Sequence, residues 1–401
     1  SAAADRRGAR RMQARITDCR YQGEADLLAA IRADPAVQRE VAQVDTGDRQ
    51  ALLRTRLLAH AVRVSPRVIP TIHDAFDALR QRTGITGDIE AYVVPEPGIN
   101  AFVTRGASRI FVVLNGDTIN ALKTEELLFV IGHELGHAAF GHHDVVEHRV
   151  FERLGPQRRM QLLALSRAQE ISADRVGLIC CGDLDVAARA LFRTASGITS
   201  PHLAMDPDEF DQQWDQYVNE LVEVGTDDSH GLLTHPVAHL RIKALRIFWD
   251  AGLAFGPDSA VQRPVDAQVA EWLAVLDPLA RERPDAPDPI LADFFLWGGL
   301  YMALSHGDIG QAERTRLASV TSAERLTQAL AAGVPSVAQC AERFSQCLAR
   351  RRQKLTSSEI NRLLEGLAQI AQADSLVAEA EKDALRQLAG LLRVNADLYL
   401  N

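Results

Sequence analysis

The sequence predicts a mostly helical α+β protein of two domains, on three observations. Apolar residues recur with helical periodicity through most of the chain. That pattern gives way between Asp88 and Asn115 to the short β-rich runs EAYVV, NAFV and RIFVVL, separated by Pro95-Glu96-Pro97-Gly98 and Arg105-Gly106-Ala107-Ser108, which read as a small antiparallel sheet. Finally, six of the sixteen prolines fall between Pro257 and Pro289, marking a linker ahead of a wholly helical remainder. The expected organisation is a basic terminus over 1–20, a first domain over 21–256, a proline-rich linker over 257–289 with a short helix from Asp266 to Leu276, and an all-α domain over 290–401.

Composition sets limits on function. A hydrophobic content of 47% with 24% charged residues is ordinary for a globular protein, and a net charge of −9 argues against nucleic acid as a partner. The first twenty residues carry six Arg against two Asp, the composition of a solvated terminus. The longest uncharged apolar run, Phe294 to Leu304, is broken by Gly298-Gly299 and is too short for a bilayer, so no transmembrane span is expected. Five cysteines form an odd set; Cys180 and Cys181 are adjacent, and Cys340 and Cys347 lie about 10 Å apart along a helix, beyond disulfide reach. A reducing compartment is favoured. Ser1 to Ala4 reads as a cloning scar with no secretory signal after it, so the cytoplasm is the expected location and the native N-terminus stays open.

In chain order, Ala25 to about Arg82 reads as helices that pack beside the chemistry. After the sheet, Thr124 is placed to cap a helix running to about His142, with Glu125 and Glu126 in its first turn. That helix contains FVIGHELGHAAFGHH. Residues four apart share a helix face, so His133 and His137 offer two imidazole nitrogens to one metal, while Glu134, about 100° round, reaches a bound water. Phe129, Val130, Ile131, Leu135 and Phe140 surround the motif with apolar surface, which sets it apart from a solvated surface helix. Buried His and Glu need partners, which a metal or a hydrogen-bond network supplies, and zinc is the expected one.

A catalytic zinc takes a third protein ligand and keeps an open position. Glu170 answers that need, on a helix from Pro156 to about Cys180 that presents Glu170, Ala173, Asp174 and Gly177 at i, i+3, i+4 and i+7. The small residues on that face admit another helix closely. Asp174 is placed to accept the free N–H of a ligating histidine, the competing reading being a surface ion pair with a nearby Arg. Further helices are expected from Asp183 to Ser196, from Asp206 to Val224, and from Pro236 to about Trp249. Pro236 pins His235 at the start of the last of these, where it serves either as a donor to a substrate carbonyl or as an ordinary surface cap. In the remainder, Met302 to Leu317 aligns with Ile370 to Leu385 at an offset of 68, pairing Glu313 with Glu381, which suggests two related helical hairpins.

Taken together, NAF at Asn100-Ala101-Phe102, HELGH at His133 to His137, Glu170 followed by Asp174, and His235-Pro236 with Arg241 resemble the zinc metallopeptidases of the HtpX and CAAX-prenyl-protease type, a gluzincin group. The resemblance covers roughly the first 250 residues. It implies one Zn2+ per chain held by His133, His137 and Glu170, Glu134 as general base, a strand at Asn100, Ala101 and Phe102 that pairs with an extended peptide, and His235 and Arg241 as stabilisers of the tetrahedral intermediate. Many relatives are integral membrane enzymes; with no spans here, prenylated or membrane-embedded substrates are not implied. The C-terminal region more weakly resembles the TerB-like helical domain of tellurite resistance, through Ala371-Gln372-Ala373-Asp374-Ser375 with Glu381 and His306-Gly307-Asp308 with Glu313, although Ser375 replaces the family's glycine. Carboxylates at helix starts on the surface are the commoner explanation of such a pattern than a divalent metal, and an interaction module that takes a protein partner is the expectation there. The function expected from all this is zinc-dependent endopeptidase activity on peptide or unfolded protein, in protein processing or quality control. The rival is a holdase-like or scaffold protein with a silent zinc site.

Overall fold

A computed structural model describes residues 16–43, 47–83, 85, 88–105, 109–142, 148–200, 205–224, 234–277, 291–351, 355, 357–372, 379–394 and 396. The basic terminus up to residue 15, the sharpest part of the expected linker (281–289) and Ala373 to Ser375 lie outside the described residues. The chain divides into two units, one formed by 1–214 with 233–270 and the other by 215–232 with 271–401.

The first unit opens with a 3-10 turn, Ile16–Cys19, and helices α1 (Gln22–Ala33), α2 (Pro35–Ala42) and α3 (Gly47–His60). Asp34 ends the first helix and caps the second, its carboxylate accepting from Ala36 N–H at 2.7 Å. The expected run of helices is then interrupted by a strand, β1 (Val62–Arg63), before α4 (Pro70–Thr83). Strands β2 (Ile89–Val94), β3 (Ala101–Arg105) and β4 (Ile110–Asn115) complete a four-stranded sheet in the order β1-β2-β4-β3. The sheet is mixed where an antiparallel one was expected. β3 and β4 pair antiparallel, but Pro95–Asn100 carries the chain past β4's place to the sheet edge, so β4 returns between its predecessors and runs parallel to β2. Central β4 is buried on both faces, which accounts for its unbroken apolar run. Val112 and Leu114 join the main core with Ala91, while Phe111 and Val113 pack with Tyr92 under Leu53 and Leu57 of α3.

After α5 (Gly116–Ala121) comes α6 (Thr124–Phe140), the histidine-bearing helix. Its N-cap is Lys123 and not Thr124, because Glu126 reaches back to the Lys123 N–H at 2.9 Å and the Lys123 carbonyl already accepts from Leu127. Gly141, at φ 68°, closes the helix in the left-handed conformation. Then follow α7 (His148–Arg153), α8 (Pro156–Cys181), α9 (Leu184–Ser196, capped by Asp183) and α10 (Pro207–Val224). Helix α11 spans Ala238–Asp250, starting two residues later than expected. Val237 is still extended and its carbonyl accepts the first helical bond, from Arg241 N–H, so Pro236 stands before the cap. Helix α12 (Ser259–Val275) is longer than the expected element, since the Asp258 carboxylate caps it ahead of Pro264.

The second unit contains α13 (Ala292–Ser305), α14 (Gln311–Thr321), α15 (Ala323–Leu330), α16 (Val337–Arg350), α17 (Ser357–Ala371) and α18 (Glu379–Leu391). The apolar run Phe294–Leu304 is the buried centre of this unit, packed against Phe344, Leu367 and Leu385. Its glycines permit the approach: a Cβ on Gly298 would stand 3.2 Å from both Leu367 and Phe344. Glu313 and Glu381 both take the third position of their helices and are fully buried, not surface carboxylates; His306 Nε2 lies 3.3 Å and 3.6 Å from them. Among the described residues no helix is long and apolar enough to cross a membrane, and all five cysteines are free thiols.

Candidate active site

Two helices crossing at close range make the site. A Cβ on Gly132 of α6 would stand 2.5 Å from Cys180 Cβ, one on Gly136 3.0 Å from Val176 Cβ, and one on Gly177 of α8 2.8 Å from the Phe129 carbonyl oxygen. Only hydrogen at these three positions lets the backbones come this near, and Ala173 adds a fourth small contact opposite Gly136. The crossing carries Glu170 to His133 and His137. Glu170 Oε2 lies 3.5 Å from His133 Nε2, Glu170 Oε1 lies 3.3 Å from His137 Nε2, and the two Nε2 atoms are 3.0 Å apart.

These three side chains could hold a metal ion. Facing imidazole nitrogens cannot both be satisfied by each other once their protons are placed elsewhere, and His133 Nδ1 is already 2.9 Å from the Asp174 carboxylate. Glu170 Oε2 is buried without a well-formed hydrogen bond. One ligand atom from each of His133, His137 and Glu170 falls within 4.8 Å of the others, a set of two nitrogens and one carboxylate that suits zinc. Glu134 is 6% exposed beside them. Burial pushes its carboxyl above the ordinary range, against the pull of His133 and His137.

Arg241 of α11 closes the site from the third side. Its Nε and Nη2 donate to the two Asp174 oxygens at 2.7 Å each, and Nη2 lies 3.1 Å from Glu170 Oε2. Burial alone would raise both carboxyls; Arg241 and His133 reverse this and hold Glu170 well below the usual carboxylate range, with Asp174 lowered by the same partners. His235, largely exposed, sits with Nδ1 3.0 Å from Glu170 Oε1. Both expected stabilisers of the tetrahedral intermediate therefore contact the Glu170 carboxylate.

A cavity of about 670 Å³ opens onto these groups, lined by His133, Glu134, His137, Glu170, His235 and Arg241 and bordered by Asn100 to Val103. Of the three residues expected to bind substrate, Asn100 precedes the strand, and its main chain is already engaged with Thr118 and Asn115. Ala101 and Phe102 belong to edge strand β3, where Phe102 is exposed.

Sequence reasoning missed two residues here. His142 Nδ1 lies 2.6 Å from His137 Nδ1, and His142 Nε2 lies 3.3 Å from Glu24 of α1. Only the repeated histidines after Gly141 could have hinted at the first; nothing in the local pattern ties Glu24 to them.

Comparison with known proteins decides the family. Residues 66–157 and 148–248 match the profile of peptidase family M48, so the match contains every residue of the His-His-Glu cluster, Asp174, His235 and Arg241. Residues 66–248 are an M48-family metallopeptidase domain. Residues 299–399 match the tellurite resistance protein TerB and form a TerB-like domain. No curated protein and no solved structure matches the chain.

Proposed function

We propose that this M48 domain is a zinc-dependent endopeptidase acting on extended peptide segments, in protein processing or quality control. The observation that carries the reading is the convergence of His133, His137 and Glu170 beside buried Glu134, at the floor of a cavity bordered by an open strand edge. His133, His137 and Glu170 would hold one zinc ion, whose Lewis acidity makes water a nucleophile near neutral pH and draws electron density from the scissile carbonyl. Glu134 takes the proton from the attacking water and returns it to the leaving nitrogen. Its apolar surround keeps that carboxyl basic enough for the task.

Strand β3 positions the substrate. The Asn115 N–H to Asn100 carbonyl bond makes Asn100 and Phe102 the inward-bonded residues, so the alternation of an antiparallel ladder turns the N–H and C=O groups of Ala101 and Val103 to the open edge. An extended peptide that pairs with them enters as an added strand, while exposed Phe102 offers apolar contact to its side chains. His235 is exposed enough to turn from Glu170 toward a developing oxyanion. Arg241 serves that oxyanion only at the distance set by its grip on Asp174 and Glu170, and its principal part is to fix the two carboxylates. Free thiols throughout suit a reducing compartment, and we place the protein in the cytoplasm.

The test is zinc content measured beside cleavage of casein and of a peptide library. About one zinc per chain, with turnover in the wild type and none in Glu134→Gln, is the expected result. Full zinc occupancy in His133→Ala would overturn the ligand assignment, and a zinc-loaded wild type that cleaves nothing would overturn the peptidase reading.

A further inference from the structure

Each of the two histidine ligands has an outer partner, but the two are held differently. His133 Nδ1 meets Asp174 directly, on the neighbouring helix of the same domain. His137 Nδ1 instead meets a second imidazole, His142 Nδ1, at 2.6 Å, just beyond the left-handed turn at Gly141. Two nitrogens that close need one proton between them. Nε2 of His137 points into the cluster with Glu170 and His133, where its lone pair is required, so the ring proton of neutral His137 sits on Nδ1 and is donated to His142. His142 accepts on Nδ1 and carries its own proton on Nε2, which faces Glu24 Oε1 at 3.3 Å.

Glu24 is built to receive it. The side chain is fully buried at the first turn of α1. Its Oε1 accepts from Arg20 Nε at 3.0 Å and Nη2 at 2.5 Å, and its Oε2 from Ser172 Oγ at 2.5 Å. Ser172 lies two residues beyond Glu170 and in turn accepts from Tyr21 N–H at 3.0 Å. Arg20 also stands 5.4 Å over the Phe140 ring, which stacks on His142. The proton has one available direction along these contacts, from His137 through His142 to Glu24, the last of them a 3.3 Å approach that lacks full hydrogen-bond geometry.

Building on the metallopeptidase reading above, we propose that Glu24 and His142 form a relay that fixes the tautomer and orientation of metal-ligating His137, so that α1, which lies ahead of the M48-matched residues, is a working part of the metal centre. Both are positioning residues. In metal sites, partners of this kind are worth about 10- to 100-fold in affinity. Because Glu24 acts on His137 only through His142, its loss should cost no more than the loss of His142 and should add nothing to it.

The experiment uses the full-length protein, titrated with zinc against a chelator of known affinity, together with the visible spectrum of its cobalt(II) form. His142→Phe keeps the ring that stacks on Phe140 and deletes both nitrogens; Glu24→Gln keeps shape and deletes the charge. The expected result is a zinc Kd raised about 10-fold or more in His142→Phe. Glu24→Gln should shift it the same way by less, the double variant should be no weaker than His142→Phe alone, and the cobalt spectrum should change in each. Wild-type affinity and spectrum in both single variants, with His133→Ala abolishing binding, would overturn the relay and leave the metal site standing. Additive losses tracking lower thermal stability of the metal-free protein would reduce both residues to packing and overturn the relay as well. A wild type that binds no metal would remove the metallopeptidase reading and the relay together. Should His142→Phe fail to fold, Glu24→Gln alone decides by the same two readouts.

Discussion

Asp174 is the residue whose loss should separate metal binding from folding most clearly. It is 1% exposed and accepts three hydrogen bonds, one from His133, a proposed zinc ligand, and two from Arg241. Asp174→Asn keeps the shape but leaves one acceptor oxygen for donors on two sides, so the amide must turn its NH2 toward either His133 or Arg241. If His133 loses its partner, ring orientation is lost and zinc affinity should fall about 10- to 100-fold, or about 1.4 to 2.7 kcal/mol. If Arg241 loses it, the guanidinium leans on Glu170, to which it is already 3.1 Å away, and pulls a ligand from the metal. Either turn weakens the site. Full removal in Asp174→Ala also leaves a buried guanidinium with one carboxylate in place of two, which should destabilise the fold by up to about 3 to 5 kcal/mol. Chelator competition reads the first effect, and thermal unfolding of the metal-free protein reads the second. A wild-type zinc Kd in a well-folded Asp174→Asn protein would refute the orienting role.

Other perturbations test the remaining geometry. Glu134→Gln should retain zinc and fold yet lose about 10²- to 10⁴-fold in peptide turnover, since the amide accepts no proton; comparable turnover would remove Glu134 from the chemistry. Gly177→Ala sets a methyl 2.8 Å from the Phe129 carbonyl oxygen and should cost about 1 to 3 kcal/mol while spreading the ligands and weakening zinc binding; an unchanged melting temperature would show that the helix crossing tolerates more space. His239, packed between Phe210 and Trp214, is lowered by burial to about 4 from an ordinary 6.5, so the fold holds it neutral. Its contribution is fully present above pH 6.5 and lost as pH falls through 4, at most about 3 kcal/mol, and His239→Phe should flatten that part of the stability profile. Stripping the metal should lower the melting temperature, because zinc at 100 times its Kd adds about 2.7 kcal/mol; equal stability of metal-free and zinc-loaded protein would show that the ion does not bind the folded state.

Much of this was legible in the sequence because one-dimensional spacing survives folding when it lies within a single helix. His133, Glu134 and His137 occupy one helix, and so do Glu170, Ala173, Asp174 and Gly177; the helix period alone states which of them share a face. The small residues also announced the close crossing, though not its partner glycines on α6. What lay beyond reach were relations between distant elements. β-rich runs and the turns between them marked the strands but carry no signal for which strand lies beside which, so the parallel β2-β4 pair was invisible. Val62 and Arg63 were read as helix because a strand of two residues has no period to detect. Glu24 stands 118 positions from His142, and only the packing of α1 against α8 brings them together.

A charge count joins these pieces. Glu134, Glu170 and Asp174 are three carboxyls buried within one small site, and Arg241 is the guanidinium set among them. With neutral imidazoles and all three carboxyls ionised, the set carries two negative charges more than positive. Burying that excess in low dielectric is costly: burial raises the Glu134 carboxyl and the neighbouring carboxylates raise His137 against its own burial, while Arg241 holds Glu170 and Asp174 down. A divalent cation held by His133, His137 and Glu170 would close the balance. Burial raises the Glu134 carboxyl and a cation beside it would draw it back down, which would tie the basicity of Glu134 to occupancy of the site.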